Sequence, residues 1–338
     1  MLNGGRRMEK TIKRLKKWKI VLISTLLIVL VSGGIIAGYI SSKLSNLTIE
    51  GLDKNNLGIN KDLYDEVSDV LTRSEFNAIK CIALFGTDSR DSSFEGRSDT
   101  IIIAAIKPKT KSIKLISIPR DTYVSIEGHG KDKINHAYAF GKEQLSVKTI
   151  NQNFGLNITE YVTIDFSGLI HVINKLGGVQ LNITNEEKDY INSHASDSYK
   201  ISKNTSKTLS GYGIITLDGE QALTHSRNRT VGNDFDRAGR QREVLEAIMT
   251  KMSKMGSTKI LDLSDEFLKE VRTNIKITNY VGVLASVLLS SSSYFSNVIS
   301  TQTPSTDYAA GKMIDGIYYF VSDPETMRKD MIDNIYRK

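Results

Sequence analysis

The chain has 338 residues, 40% of them hydrophobic and 25% charged, which is ordinary for a folded globular protein with a buried core. Its formal charge of +7 lies entirely in residues 1–19, where eight basic side chains face one acidic one, so the remaining chain is neutral and gives no support to a nucleic-acid-binding body. The single cysteine, Cys81, excludes a disulfide framework.

An uncharged run of 21 residues, at 20–40, follows the basic segment. A helix of that length, rising about 1.5 Å per residue, spans roughly 30 Å, which is the hydrocarbon thickness of a bilayer. A cleaved signal peptide has a shorter apolar core of about 7–15 residues. The run therefore predicts a single transmembrane anchor in the cell membrane, with residues 1–19 as a cytoplasmic tail and the later chain outside the cell.

Residues 41–77 are predicted to form an extracellular stalk, and residues 78–338 a folded extracellular domain in which strands and helices alternate. Predicted strands are 81–86, 99–106, 112–118, 161–165 and 179–183, and predicted helices are 166–178, 219–227 and 234 to about 255. Residues 184–215 carry little pattern and are predicted to be a surface insertion. This alternation predicts an α/β fold with a mixed sheet covered by helices.

Arginine is distributed unevenly along the predicted domain. None occurs between residues 121 and 226, although lysine is frequent there. Upstream, Arg90, Arg97 and Arg120 each lie beside an aspartate. Five more are concentrated over sixteen residues: Arg227, Arg229, Arg237, Arg240 and Arg242. Because a guanidinium can grip a phosphate through two parallel hydrogen bonds, whereas lysine acts as a point charge, the pattern predicts a phosphate-binding site.

The last predicted helix carries part of this set. Arg237 and Arg240 share a helix face at i and i+3, with Gln241 beside them, whereas Arg242 points away and is predicted to be a solvated or salt-bridged residue. A purely salt-bridged helix is the alternative, but it would not require arginine over lysine so often. Asp234 lies at the helix start, where a carboxylate can cap free backbone N–H groups, so a structural role remains open for it.

Two aspartates mark the ends of neighbouring predicted strands. Asp88 follows the strand at 81–86, and Asp99 begins the strand at 99–106. If those strands are adjacent in the sheet, the two carboxylates can meet at one edge and hold Mg²⁺, whose shell is completed by water and substrate phosphates. The alternative is that each is a turn or cap residue. The sequence has no glycine-rich phosphate loop, zinc-ligand spacing or nucleophile elbow.

These motifs resemble the LytR–CpsA–Psr family of cell-wall glycopolymer ligases. The matching stretches run in the family's order over roughly 78–250: LFGTDSR (84–90), GRSDTIIIA (96–104), ISIPRDTYV (116–124), KINHAYAFG (133–141), INKLGGV (173–179), LDGEQAL (217–223), RNR (227–229) and DFDRAGRQ (234–241). One departure is His225-Ser226 before Arg227, where the family more often has an aromatic and an aliphatic residue.

The resemblance implies a three-layer α-β-α domain with a hydrophobic pocket for a polyprenyl chain. It implies a phosphotransferase that moves a teichoic acid or capsular glycopolymer from a polyprenyl-pyrophosphate carrier to a peptidoglycan sugar hydroxyl at the cell membrane, with no nucleic-acid partner. Two other functions remain open. One is a pyrophosphatase that hydrolyses the same carrier, and the other is a receptor that binds lipid-linked glycans without turning them over.

The resemblance also implies roles for individual residues. Asp88 and Asp99 match positions that hold Mg²⁺, or Mn²⁺ in its place. Asp234 matches a proposed general base, and Arg120 and Arg229 are the arginines expected to act most directly in catalysis. The residues expected around the pyrophosphate are Arg90, Arg97, Arg120, Asp121, Arg227, Arg229, Arg237, Arg240 and Gln241, with Asp121 orienting Arg120.

Overall fold

The structure is a computed structural model that describes residues 51–88, 96–205, 207–228, 234–255, 269–275 and 297–337, together with 259, 263, 266, 267, 293 and 294. Along this described part of the chain, no helix has both the length and the apolar character needed to cross a bilayer. The predicted tail at 1–19 and the predicted anchor at 20–40 lie outside the described residues and stay predictions.

The described elements alternate along the chain as the sequence predicts. The strands are β1 Lys80–Thr87, β2 Ser98–Lys107, β3 Ser112–Ser117, β4 Tyr123–Ile126, β5 Gly130–Lys133, β6 Glu160–Asp165, β7 Val179–Ile183, β8 Gly213–Leu217, β9 Val271–Thr273, β10 Val298–Gln302, β11 Ala310–Ile314 and β12 Ile317–Val321. The α-helices are α1 Arg73–Ala78, α2 His136–Phe154, α3 Phe166–Lys175, α4 Asn185–Ser202, α5 Gly219–Arg227, α6 Asp234–Ser253 and α7 Pro324–Ile332.

Six of the described strands form one mixed sheet, in the order β10–β3–β2–β1–β6–β9. β1 pairs antiparallel with β2 and parallel with β6, while β3 pairs antiparallel with β2 and parallel with β10. The remaining described strands form three antiparallel hairpins, β4–β5, β7–β8 and β11–β12. The mixed central sheet predicted from the sequence is therefore confirmed.

Side chains alternate between the two faces of the sheet along each strand, so apolar residues lie on both faces. Helices pack against both of them. Phe85 and Ile103 face a core that includes Phe154 of α2 and Met331 of α7. On the opposite face, Ile102 lies in a cluster with Leu245 of α6. A further apolar cluster joins α3, α4 and α6 to the β7–β8 hairpin. The expected three-layer α-β-α arrangement is confirmed.

Residues 51–77 belong to this domain, although they were assigned to the predicted stalk at 41–77. Leu57, Leu63 and Val67 are fully buried in the core beneath α2. The Asn151 amide of α2 donates to the Leu57 carbonyl at 2.8 Å. The predicted domain start at 78 is therefore too late, because short turns place these apolar residues against the domain. The location of the domain outside the cell stays a prediction.

The predicted surface insertion at 184–215 is wrong for most of its length, because α4 occupies it. Thr184 and Glu187 cap this helix reciprocally: the Glu187 amide donates to the Thr184 hydroxyl at 3.2 Å, and the Thr184 amide donates to the Glu187 carboxylate at 3.1 Å. Ile191, Ala195 and Tyr199, spaced four residues apart, form its buried stripe. A narrow stripe among polar residues leaves a weak sequence signal.

Candidate active site

Asp88 and Asp99 lie at one edge of the central sheet. β1 and β2 are antiparallel neighbours with Thr87 opposite Ser98, and each aspartate directly follows one of these paired residues. Both carboxylates line the same cavity. Gly96 adopts a φ of +99°, and a Cβ there would lie 2.6 Å from the Asp88 carboxylate, so only glycine allows this close approach. The expected adjacency of the two strands is confirmed.

The cavity has a volume of about 630 Å³ and lies between the sheet and the helices α3 to α6. Such a volume is typical of small-molecule sites. Its apolar wall includes Leu84, Ile102, Val162, Ile164, Leu169, Val172, Val244, Leu245 and Ile248. Along α6 the lining changes from Arg237 and Gln241 to Leu245 and Ile248 over about three turns. Along α6 the cavity is therefore polar toward the sheet edge and apolar further in, while Tyr190, His194, Asp197 and Ser198 of α4 line another side.

A smaller pocket adjoins the cavity at its polar end. Asp99, Arg237 and Gln241 line both spaces, so the two meet at these side chains. The other walls of the smaller pocket come from the chain after β3, which carries Arg120, and from β12. Since β2 lies between β1 and β3 in the sheet, the cavity and the smaller pocket flank Asp99 from two sides.

Arg120 is held by carboxylates on two sides. Its Nη1 donates to Asp99 Oδ1 at 2.8 Å, and its Nε lies 3.4 Å from Asp121 Oδ2. Asp121 also pairs with Lys133 at 2.6 Å and is only 6% exposed. Two fixed contacts restrict the plane of the guanidinium, which suits it to present its remaining N–H groups to an anion. The resemblance assigns this orienting role to Asp121.

Two further arginines line the cavity. Arg237 is only 5% exposed and reaches the junction of the two spaces from α6. Arg227, at the end of α5, places its guanidinium carbon 4.7 Å from the centre of the Phe166 ring. A guanidinium that stacks on an aromatic ring leaves the N–H groups at its own edge available to an anion. With Arg120, the described structure thus brings guanidinium groups from three separate chain segments to one site.

Arg240 lies apart from this group, although the sequence places it with Arg237 and Gln241. Its Nη2 donates to the Asn228 carbonyl at 2.8 Å, and its Nη1 lies 3.5 Å from Glu187 of α4. It lines neither the cavity nor the smaller pocket. A helix turns by about 100° per residue, so Arg240 and Gln241 diverge to opposite sides of Arg237. Arg240 fastens α6 to α4 and to the end of α5.

Arg240→Ala should lower the free energy of unfolding by about 3 kcal/mol, because it leaves the buried Glu187 carboxylate without this partner and removes a donor to the Asn228 carbonyl. Urea denaturation of the protein measures the change. Lys254→Ala, at an exposed cation just past α6, is the control and should change stability by less than about 0.5 kcal/mol. Equal small effects in both variants would contradict the role of Arg240.

His225, which departs from the family pattern, is buried beside two carboxylates. Its Nε2 lies 3.4 Å from Glu243 and its Nδ1 lies 3.9 Å from Glu187. The hydrogen bond with His225 lowers the pKa of Glu243. Arg242, next to Glu243, lines neither space, and burial lowers the pKa of its guanidinium. His225 therefore joins the Glu187–Arg240 contact rather than the cavity wall.

Some predicted site residues are not placed at the cavity. Arg97 is described and exposed, and it lines neither space. Arg90 and Arg229 lie outside the described residues. Asp234 begins α6, but its side chain also lies outside what the structure describes. The roles that the resemblance gives to these four residues stay predictions.

The donor set near Asp88 and Asp99 fits a hard cation. Across the described part of the chain, no group of three His, Cys, Asp or Glu side chains is placed to hold a metal ion. Thr87, which also lines the cavity, has a buried hydroxyl with no hydrogen-bond partner among the described residues. Mg²⁺ is commonly bound by one or two carboxylates together with water and phosphate, so an all-oxygen pair suits it.

Two aromatic residues at the site were not predicted from the sequence. Tyr318 and Phe320 of β12 line the smaller pocket beside Arg120. Their only signal is the aromatic run IYYF at 317–320, directly after a glycine turn. The apolar wall of the cavity was also missed, because its leucine, isoleucine and valine side chains have the spacing of ordinary core residues.

Known proteins resemble this chain in sequence and in fold. The model of the LytR_cpsA_psr family matches residues 46–334. The chain belongs to the LytR_cpsA_psr family. A relative from Oceanobacillus iheyensis, the polyisoprenyl-teichoic acid–peptidoglycan teichoic acid transferase TagU, is 33% identical over 341 residues, which cover 95% of this chain and 94% of TagU. This member of the family is accordingly a transferase.

Two solved structures share the fold. TagT bound to LI-WTA has a TM-score of 0.63 and 25% identity, covering 85% of this chain and 99% of that chain. A family protein, YwtF (TagT), with a bound octaprenyl pyrophosphate lipid has a TM-score of 0.60, 24% identity and the same coverage. The second similarity concerns the fold alone, and it agrees with the mixed sheet and three layers described above.

Proposed function

We propose that this family member is a membrane-anchored phosphotransferase that moves a teichoic acid or capsular glycopolymer from a polyprenyl-pyrophosphate carrier to a peptidoglycan sugar hydroxyl. The proposal rests on the contact between two environments. The apolar cavity meets the smaller, arginine-lined pocket at Asp99, Arg237 and Gln241. A carrier with an apolar chain and an anionic head needs both environments in contact. The name of the TagU relative and the LI-WTA complex of TagT support the same substrate class.

The two parts of the carrier would bind by different forces. Each CH₂ group of a prenyl chain that leaves water for the cavity contributes about 0.8 kcal/mol. The pyrophosphate would lie at the polar end, where Arg120, Arg227 and Arg237 supply charge-assisted hydrogen bonds. Arg90, Arg97 and Arg229 are proposed to join them when substrate is present. The apolar part thus fixes the carrier, and the arginines fix the reacting phosphorus.

The proposed reaction is an in-line displacement at the phosphorus nearer the glycan. The acceptor hydroxyl oxygen forms a new P–O bond, the bond from that phosphorus to the bridging oxygen breaks, and polyprenyl phosphate leaves. Such a transfer depends on alignment and on neutralising the charge of the phosphoryl oxygens. Arg120 and Arg237 are positioned by carboxylate contacts and burial to do this without rearrangement. Asp234 is proposed to accept the hydroxyl proton.

A divalent cation belongs to this proposal. Asp88 and Asp99 would hold Mg²⁺, or Mn²⁺ in its place, and the ion would neutralise charge on the pyrophosphate oxygens. We expect EDTA to lower the transfer rate by at least about tenfold and added Mg²⁺ to restore it, as measured with a labelled donor. Asp88→Asn should weaken Mg²⁺ binding in a calorimetric titration of the substrate-free protein. An undiminished rate in EDTA would contradict the metal site.

The proposed location is the outer face of the cell membrane, with residues 20–40 as the anchor and 1–19 in the cytoplasm. Protease added to intact protoplasts should therefore degrade the domain that begins before residue 51. Detergent-permeabilised protoplasts serve as the control for protease access, with an antibody against the C-terminal residues as the readout. Protection of the domain in intact protoplasts would refute this orientation.

Product analysis tests the transfer itself. The full-length protein in detergent is incubated with Mg²⁺, peptidoglycan and a lipid-linked teichoic acid whose glycan-proximal phosphorus is radioactive. The proposal predicts label in the muropeptide fraction, together with an equal amount of polyprenyl phosphate. Label only in free glycan phosphate would identify a pyrophosphatase, since water then replaces the sugar hydroxyl. Donor bound but unchanged over long incubation would identify a receptor.

A further inference from the structure

The smaller pocket and the cavity meet at Asp99, Arg237 and Gln241 and extend from there over different strands. The cavity extends over β1, β2 and β6, whereas the smaller pocket lies at the β3 side of β2. Under the proposed function, polyprenyl phosphate leaves toward the apolar cavity. An in-line displacement brings the incoming oxygen from the side opposite the leaving group. The acceptor hydroxyl therefore enters through the smaller pocket.

The C-terminal hairpin β11–β12 supplies the aromatic wall of this pocket. Phe320 donates its amide to the Asp121 carbonyl at 2.8 Å, and it bridges to Thr122, so the hairpin is bonded to the segment that carries Arg120. Tyr319 points the other way and packs against Tyr123, with ring centres 4.7 Å apart. Because side chains alternate along a strand, Tyr318 and Phe320 share the face that lines the pocket.

Tyr318 is held flat against its own hairpin. A Cβ on Gly311 of β11 would lie 2.6 Å from the Tyr318 ring, so glycine leaves the space that the ring occupies. Packing an aromatic ring over a glycine on the neighbouring strand fixes the ring plane. Tyr318 as a whole is 38% exposed, and its cross-strand neighbour Met313 is 65% exposed. The result is a rigid, partly apolar surface at the mouth of a pocket that holds Arg120.

We propose that Tyr318 and the adjoining face of β11–β12 form the binding subsite for the acceptor sugar of the peptidoglycan glycan chain. A pyranose ring has an apolar C–H face that packs on an aromatic ring and a hydroxyl edge that remains free for polar contacts. A sugar stacked on Tyr318 directs that edge into the pocket, toward Asp99, Arg237 and Gln241. This subsite rests on the proposed function and names its second substrate.

Kinetics with a soluble acceptor test the subsite. The acceptor is a glycan fragment of alternating N-acetylglucosamine and N-acetylmuramic acid, and the donor is a lipid-linked teichoic acid. We expect Tyr318→Ala to raise the acceptor KM about tenfold while leaving the donor KM and donor binding unchanged. Tyr318→Phe keeps the ring and should retain the wild-type acceptor KM. Tyr212→Ala, at a 65% exposed tyrosine that lines neither space, is the matched control and should have no effect.

Saturation-transfer NMR measures binding of the same acceptor fragment directly, so this second test does not require turnover. The proposal predicts transfer to the fragment from wild type and from Tyr318→Phe, and its loss in Tyr318→Ala. An unchanged acceptor KM in Tyr318→Ala, or an equal rise in the donor KM, would overturn the subsite while the transfer reaction stood. A wild-type protein that bound donor but formed no linkage would instead refute the proposed function, and the subsite with it.

Discussion

Replacing Arg120 by alanine should lower the transfer rate by about 10²–10³-fold, which is the largest effect expected for a described residue. Arg120 donates to Asp99 at 2.8 Å and lines the smaller pocket, which meets the polar end of the cavity where the pyrophosphate is proposed to lie. The substitution removes a fixed positive charge from the phosphoryl oxygens and leaves Asp99 without its guanidinium partner. Initial rates with a radioactive lipid-linked donor at saturating acceptor measure the loss.

Two further substitutions test whether the loss of rate comes from the guanidinium group of Arg120. Arg120→Lys keeps a charge but loses the planar, two-sided contact, so it should recover only part of the rate. Arg328→Ala is the matched control, because Arg328 also pairs with a carboxylate, Glu66, but belongs to α7 on the other face of the sheet. It should change the rate less than about twofold. Near wild-type rates in both Arg120→Ala and Arg229→Ala would end the proposed mechanism.

Filling the apolar cavity should have the second-largest effect. Leu245 lines it from α6, and Leu245→Trp places a larger ring in the space proposed for the prenyl chain. If the ring displaces about four CH₂ groups, the lost burial is roughly 3 kcal/mol, which corresponds to about a hundredfold weaker donor binding. Equilibrium binding of a full-length polyprenyl-pyrophosphate donor measures this change.

The length of the prenyl chain provides the control for this variant. A donor with a single short prenyl unit does not reach the interior of the cavity, so its affinity should change little on Leu245→Trp. Leu245→Met conserves volume and should bind both donors as the wild type does. If Leu245→Trp weakened the short and long donors equally, the cavity would not be the lipid site. Unaltered binding of the long donor would lead to the same conclusion.

The central elements of the fold could be predicted because their patterns are strong. The isoleucine-rich run of β2 and the apolar run of β1 predict buried strands, and the structure places both within two residues of their predicted bounds. α4 could not be predicted, because only Ile191, Ala195 and Tyr199 mark its buried face. The sheet order also has no local signal, since it depends on contacts between residues far apart in the chain.

The site was predictable where chemistry restricts the residue type. Arg120, Arg237 and Asp99 were identified because few side chains serve phosphate or Mg²⁺, and the structure brings them together. Arg240 was assigned to the site because it lies three residues after Arg237 on the same helix. Positions i and i+3 still differ in direction by about 60° around the helix axis, and Arg240 therefore contacts Glu187 instead. Tyr318 had no signal beyond the aromatic run at 317–320, because an aromatic residue on a strand is usually part of a core.

A crystal structure of the protein with bound polyprenyl pyrophosphate would show whether the apolar cavity and the arginine cluster form one site. We expect both phosphorus atoms beside Arg120 and Arg237, with the prenyl chain running past Leu84 and Leu245 into the interior. A pyrophosphate bound away from these arginines, or a prenyl chain outside the cavity, would contradict it.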